Sequence, residues 1–190
     1  MALTPSTMLP LGTALPAFSL ADLDGTTVTS QQFANTPGLL VAFLCTHCPY
    51  VKHIKREFAR FAREYRARGL AVVGIASNDA TTHPDDSPAG LAKDAREHGY
   101  EFPYLYDETQ DVARAFKAAC TPDLFLFDRS GRLVYRGQFD DSRPGNNRPV
   151  TGADLRAAAD AVLAGTPVSP EQKASIGCNI KWKRGQEPPY

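Results

Sequence analysis

The sequence predicts an α/β fold with a central mixed β-sheet flanked by helices, preceded by a β-hairpin and followed by an irregular tail. Three observations carry this. Leu39-Leu-Val-Ala-Phe-Leu44 and Leu70-Ala-Val-Val-Gly-Ile-Ala76 are short, uniformly apolar runs, the pattern of strands buried on both faces of a parallel sheet. Between them lies a segment with helical apolar spacing, which makes a βαβ unit. Later, two β-rich runs flank Ser130-Gly131 and read as a hairpin that closes the sheet.

The elements follow in order. Leu9 to Leu20 is punctuated by proline and reads as extended. Asp24-Gly25 is a turn signal between Phe18-Ser-Leu20 and Thr26-Thr-Val-Thr29, which gives the hairpin. From Pro49 to Arg68, residues Val51, Ile54, Phe58, Phe61 and Tyr65 form one apolar stripe, with Gly69 as the C-terminal stop. Asn78 to Asp86 is a polar loop, and Ser87-Pro88 starts a helix that runs to about His98. Phe102 to Tyr106 is extended, Gln110 to Ala118 helical, and Leu124 to Phe127 and Leu133 to Gly137 are the paired strands. The charged loop holding Asp140, Asp141, Arg143 and Arg148 reads as solvated. Thr151 caps a last helix that ends near Ala164-Gly165. The expected organisation is a single domain over 1–190, with its core at about 12–165 and its tail at 166–190.

Composition narrows the function. Basic and acidic residues number 21 each, so nothing favours nucleic acid or an anionic membrane as a partner. No apolar run reaches the roughly 18 residues of a membrane span. The first twenty residues lack a basic segment and are broken by prolines, which is not a secretory signal. The expected location is therefore cytoplasmic. There, four cysteines are too few for a disulfide scaffold, and a close pair among them points to a catalytic, redox-sensing or metal-binding role rather than a structural one. No Gly-x-Gly-x-x-Gly follows a strand, so no cofactor is expected. Zinc would need a second compact ligand pair, which is missing, and the expected metal is none.

Cys45 and Cys48 stand between the first buried strand and its helix, where ligands of such sheets gather. Pro49 is a preferred first helical residue, which places Cys48 at the N-cap. Amides and the positive helix end favour a thiolate there. Lys52, His53, Lys55 and Arg56 add positive potential, and His47 is adjacent.

At this point a resemblance becomes specific. Val41 to Lys52, holding His47-Cys-Pro-Tyr-Val-Lys-His53, resembles the active-site segment of the thioredoxin-like superfamily. Pro16-Ala-Phe-Ser-Leu20 with Asp24-Gly25 resembles the entry strand of its peroxiredoxin-like branch, the alkyl hydroperoxide reductase and thiol-specific antioxidant group. Cys120-Thr-Pro-Asp-Leu-Phe-Leu-Phe-Asp128 resembles the cis-proline strand. A late Gly177-Cys-Asn-Ile-Lys-Trp-Lys183 is similar to a string in thioredoxin-family proteins that share the first motif.

The resemblance implies a thioredoxin-like fold and a redox-active cysteine. Phe43, five positions before Cys48, aligns Cys48 with the superfamily's nucleophile and puts Val51 where a second cysteine usually stands. Cys48 is then the attacking sulfur and Cys45 a candidate resolving partner. Thr121, cis-Pro122 and Lys52 are supporting residues. Cys120 and Cys178 are additional candidate thiols, Cys178 being carried to the site by the tail. The implied function is thiol–disulfide exchange, with a thiol or disulfide protein or a small thiol as partner. A thiol peroxidase acting through a Cys48 sulfenic acid is the second reading, and a non-catalytic binding module the third. Two departures bear on the peroxidase. Cys45 stands where peroxiredoxins place a threonine or serine, and Pro122 stands where they place an arginine. Arg114, Arg143 and Arg148 are the arginines that remain to substitute. The sequence leaves the electron donor, natural substrate and oligomeric state open.

Overall fold

The computed structural model describes residues 3–190. In chain order the strands are β1 (Leu3–Pro5), β2 (Ser19–Ala21), β3 (Thr27–Thr29), β4 (Gly38–Phe43), β5 (Ala71–Ala76), β6 (Tyr104–Tyr106), β7 (Cys120–Thr121), β8 (Asp123–Asp128), β9 (Leu133–Arg136) and β10 (Ile176–Asn179). The helices are α1 (Pro49–Ala67), α2 (Pro88–His98), α3 (Asp111–Ala115) and α4 (Ala153–Ala164).

The central sheet has the order β6-β5-β4-β8-β9. β4 and β5 are parallel, with Val41 opposite Val73, and β8 runs antiparallel to β4, with Val41 also opposite Phe125. Successive side chains of β4 point to opposite faces, and both faces are covered. Leu40 and Ala42 join Val51, Ile54, Phe58, Phe61 and Tyr65 of α1 and Leu155, Ala159 and Val162 of α4. Leu39, Val41 and Phe43 join Phe116, Phe125, Val28 and Phe18 on the other face. Covering both faces is why the strand reads as an unbroken apolar run. Each fully buried large side chain contributes about 1.5–3 kcal/mol.

Helix α1 begins where proline dictates, with Cys48 at the N-cap in extended backbone and Pro49 first in the helix. It ends at Gly69, whose φ of +98° a residue with a side chain adopts only at a cost. The hairpin of β2 and β3 forms around Asp22, whose carboxylate takes the Asp24 and Thr26 amides at 3.0 and 2.8 Å.

Three local expectations change. α3 is shorter than the sequence pattern suggests. Lys117 turns left-handed and the Ala118 amide closes back on the Ala113 carbonyl at 2.9 Å. Thr151 does not cap α4. The N-cap is Gly152, and the capping carboxylate is Asp140, whose Oδ2 takes the Thr151 and Gly152 amides at 2.6 Å each. The loop around Asp140 is therefore not simply solvated: Asp140 is 4% exposed and also accepts from the Ser142 amide. Third, strand β10 lies within the otherwise irregular tail. It sits between β1 and β7 in a second, antiparallel sheet.

The tail beyond β10 is fixed by side chains of loops distant in sequence. Asn78 Oδ1 takes the Lys181 amide at 2.8 Å, and Gln110 Oε1 takes the Lys183 amide at 2.8 Å. Ile180 is buried, and Trp182 packs beneath the guanidinium of Arg114 at 5.4 Å. No helix among the described residues is long and apolar enough to cross a membrane.

Asp140→Ala removes the carboxylate that holds the start of α4 and leaves buried amides unpaired. The expected loss is about 2 kcal/mol of unfolding free energy, measured by chemical denaturation against the wild type.

Candidate active site

The end of β4 and the start of α1 are joined by Cys45-Thr-His-Cys48, and a buried carboxylate shapes this turn. Asp86 is wholly buried. Its Oδ1 accepts the Thr46 amide at 2.7 Å and the Thr46 hydroxyl at 2.6 Å. Its Oδ2 takes Asn78 Nδ2 at 2.7 Å and faces His47 Nδ1 at 2.7 Å. Burial pushes the Asp86 pKa up, but the bonds from His47, Thr46 and Asn78 outweigh it and hold it at about 2. The sequence places Asp86 in a polar loop and gives no sign that it faces the cysteines. The His47 ring, whose direction the sequence leaves open, is turned to Asp86 and stacks on His83 with centroids 4.8 Å apart.

A second support comes from Lys55. Its ammonium donates to the Thr46 carbonyl at 3.1 Å and pairs with Asp94 on α2. Lys52, by contrast, is exposed on the outer face of the helix. The buried cation under the turn is thus Lys55, whereas Lys52, expected from the sequence as a supporting residue, has its side chain in solvent. The signal was present, because Lys55 falls within the apolar stripe of α1, beside Val51, Ile54 and Phe58.

Cys45 and Cys48 meet at Thr121. The Thr121 hydroxyl lies 3.2 Å from Cys45 Sγ, and the Thr121 carbonyl accepts from Cys48 Sγ at 3.2 Å. The Thr121–Pro122 peptide is cis. Cys48 makes no short capping hydrogen bond to its own helix. Its pKa is nonetheless lowered to about 4, chiefly by the hydrogen bond from Cys45, against the penalty of burial, with further help from the Cys178 thiol and the Val51 and Cys178 amides. Burial keeps the Cys45 pKa well above the ordinary thiol range. Burial and the neighbouring Cys48 push Cys178 up to about 12. One thiol with a lowered pKa thus stands beside two whose pKa values are raised.

Cys178 reaches this place through β10, where it stands directly opposite Thr121. Cys120 is one residue away, opposite Asn179, and so points to the other face of the ladder. Its Sγ donates to the Pro122 carbonyl at 3.6 Å, and burial raises its pKa. The structure thus brings together Cys45, Cys48, Thr121, Pro122 and Cys178, and sets Cys120 and Lys52 apart. Of the arginines, Arg114 binds Asp111 and Gln186, and Arg148 binds Asp141. Arg143 lines a small hollow of about 20 Å³ shared with Tyr50, His53, Pro122 and Ile176.

Cys45 Sγ, a His47 nitrogen and an Asp86 oxygen lie within 4.8 Å of one another. Asp86 already serves Thr46, Asn78 and His47, so the trio reads as a hydrogen-bonded support rather than a ligand set.

The sheet order and the cysteine at its strand–helix junction define a thioredoxin-like fold. The Redoxin family model matches residues 10–155, and the chain belongs to that family. It is similar to chloroplastic peroxiredoxin Q of Suaeda salsa, 27% identical over 143 residues, which cover 70% of this chain and 62% of the relative. The chain thus spans less than two thirds of that curated relative's length. An uncharacterized conserved protein from Geobacillus kaustophilus is 51% identical with a TM-score of 0.95, covering 97% of this chain and 98% of that one. A hypothetical protein from Sinorhizobium meliloti is 52% identical with a TM-score of 0.94, covering 96% and 100%. A thiol:disulfide interchange protein from Chlorobium tepidum shares the fold at 21% identity and a TM-score of 0.62, covering 80% and 97%.

The thiolate absorbance of Cys48 is expected to vanish as pH falls through about 4. Cys45→Ala removes the hydrogen-bond donor and moves this midpoint up toward the ordinary thiol value of about 8.5. Cys45→Ser, which keeps an O–H donor, falls between the two. An ultraviolet pH titration of the three proteins, with Cys48→Ser as the blank, measures this.

Proposed function

We propose that the protein is a thiol–disulfide oxidoreductase with Cys48 as its nucleophile. One arrangement carries this reading: Cys48 stands at the start of α1 beside Thr121 and cis-Pro122, with the Cys45 and Cys178 thiols as immediate neighbours that lower its pKa. A thiolate that attacks a disulfide forms a mixed disulfide, and an adjacent thiol then releases it. The sulfur lies beside Thr121 and cis-Pro122, at the carboxyl end of β4, with the hollow along Tyr50, Pro122 and Ile176 next to it. The setting that fits this chemistry is a reducing, cytoplasmic one. The reductant is then a thiol protein or a small thiol.

A second reading is favoured by the full burial of Cys48, which admits a small oxidant more readily than a protein disulfide. In a thiol peroxidase the Cys48 thiolate would attack the terminal oxygen of a hydroperoxide. With one proton, this yields a sulfenic acid and an alcohol or water. Cys45 in place of a hydroxyl residue three positions before Cys48 weighs against it.

The test is mass spectrometry of the reduced protein after stoichiometric oxidised glutathione and, separately, after stoichiometric hydrogen peroxide. Fast formation of a disulfide at Cys48 with slow peroxide oxidation is the expected result. Fast, selective sulfenic acid formation at Cys48, recycled by thiol, would favour the peroxidase. Cys48→Ser is expected to abolish turnover with either oxidant; full activity in that variant would leave Cys48 no catalytic role.

A further inference from the structure

We infer that the redox pair is Cys48 with Cys178, carried in from the tail strand, and that Cys45 is a fixed hydrogen-bond donor rather than the resolving thiol. This rests on the reading of Cys48 as the nucleophile. The visible Cys45-Thr-His-Cys48 string would then not be the disulfide-forming motif.

The first argument is register. Residues directly opposite in an antiparallel ladder project to the same face. Thr121 and Cys178 are such a pair. The Thr121 hydroxyl points to Cys45 Sγ at 3.2 Å, so Cys178 is delivered to the face that carries the reactive sulfurs. Strand β10 also packs against α1, the helix that begins at Cys48.

Gly177 supplies the second argument. A Cβ at this position would lie 2.0 Å from the Thr121 carbonyl oxygen. Only a glycine lets β10 lie this close to the Thr121–Pro122 segment, where Cys48 Sγ also binds. The tail is thus fitted to the active-site strand, residue by residue, at the position next to Cys178.

The third argument is charge. To resolve a mixed disulfide a thiol must lose its proton. Cys45 is wholly buried, with a carboxylate oxygen of Asp86 within 4.8 Å of its sulfur. A thiolate there would face that buried negative charge and the Cys48 sulfur. Cys178 is also beside Cys48, but the Lys181 ammonium favours its thiolate. Lys181 is held on the same segment by Asn179. Burial and Cys48 hold the Cys178 thiol up at about 12, but of the two it is the one with a cation, Lys181, beside it to offset the cost of losing the proton, whereas Cys45 keeps its proton and its hydrogen bond to Cys48.

The chemistry balances as follows. The Cys48 thiolate attacks a disulfide R–S–S–R′, forming the Cys48–S–S–R bond and releasing R′–S⁻, which takes a proton from water. The Cys178 thiol loses its proton to water and attacks Cys48 Sγ. The Cys48–Cys178 disulfide forms as R–S⁻ leaves and is protonated. Two electrons pass from the cysteine pair to the substrate, and an external thiol reductant restores both cysteines.

The test is non-reducing peptide mapping of the wild-type protein and its Cys45→Ala, Cys178→Ser and Gly177→Ala variants after oxidised glutathione. A peptide linked through Cys48 and Cys178 is expected in wild type and in Cys45→Ala. In Cys178→Ser the Cys48–glutathione adduct accumulates, and its release slows by about 100-fold or more as an intramolecular step becomes bimolecular. Gly177→Ala, which keeps all four thiols, is expected to accumulate the same adduct. Should Gly177→Ala fail to fold, the isosteric Cys178→Ser still decides. A Cys45–Cys48 link in wild type, or release at the wild-type rate in Cys178→Ser, would overturn the inference while leaving Cys48 as nucleophile. No adduct at Cys48 in any variant would overturn both.

Discussion

Three segments far apart in the chain meet at Thr121, and the arrangement of the site depends on that meeting. Its carbonyl engages the sulfur at the head of α1, its hydroxyl engages Cys45 at the end of β4, and its backbone pairs with the tail strand at Cys178. A short strand of two residues thus fixes the relative positions of three thiols. Asp123, the next residue but one, is wholly buried, and burial raises its carboxyl pKa to about 7. Its Oδ2 holds the Ala119 amide at 3.2 Å, so both ends of the segment are anchored.

The turn that carries Cys45 and Cys48 is held from the opposite side by two buried charged residues. Asp86 fastens Thr46 and His47, and Lys55 fastens the Thr46 carbonyl while paired with Asp94. Buried charges persist only when paired and hydrogen-bonded, and here the partners include the backbone of the Cys45–Cys48 turn itself. Rigidity of this kind matters for a thiolate. The donor that lowers its pKa is another thiol, and a thiol is a weak donor that acts only when held close.

Much of this was legible along the chain. The double-sided burial of β4, β5 and β8 follows from their uniform apolar runs, and the path of α1 follows from Pro49, its stripe and Gly69. Cys48 at the N-cap needed only the proline after it. What could not be read was pairing at long range. Asp86, in a stretch that reads as loop, and Asp140, in one that reads as solvated, are buried because amides converge on them from elsewhere. The burial of Lys55 was legible from the apolar stripe of α1, but its pairing with Asp94 on α2 was not.

The sequence by itself therefore determined the sheet, the crossover helix and the sulfur at its start, because these rest on periodicity and on local backbone chemistry. The tertiary structure decided which thiols are neighbours. Cys45 and Cys48 adjoin in any fold, but Cys178 and Cys120 are separated from them by long stretches of chain. Strand register sets Cys178 opposite Thr121, while Cys120, the neighbour of Thr121 on β7, projects to the other face. A one-residue shift in that ladder would turn Cys178 away as well, since alternate residues face opposite sides, and no local pattern in the tail encodes the choice.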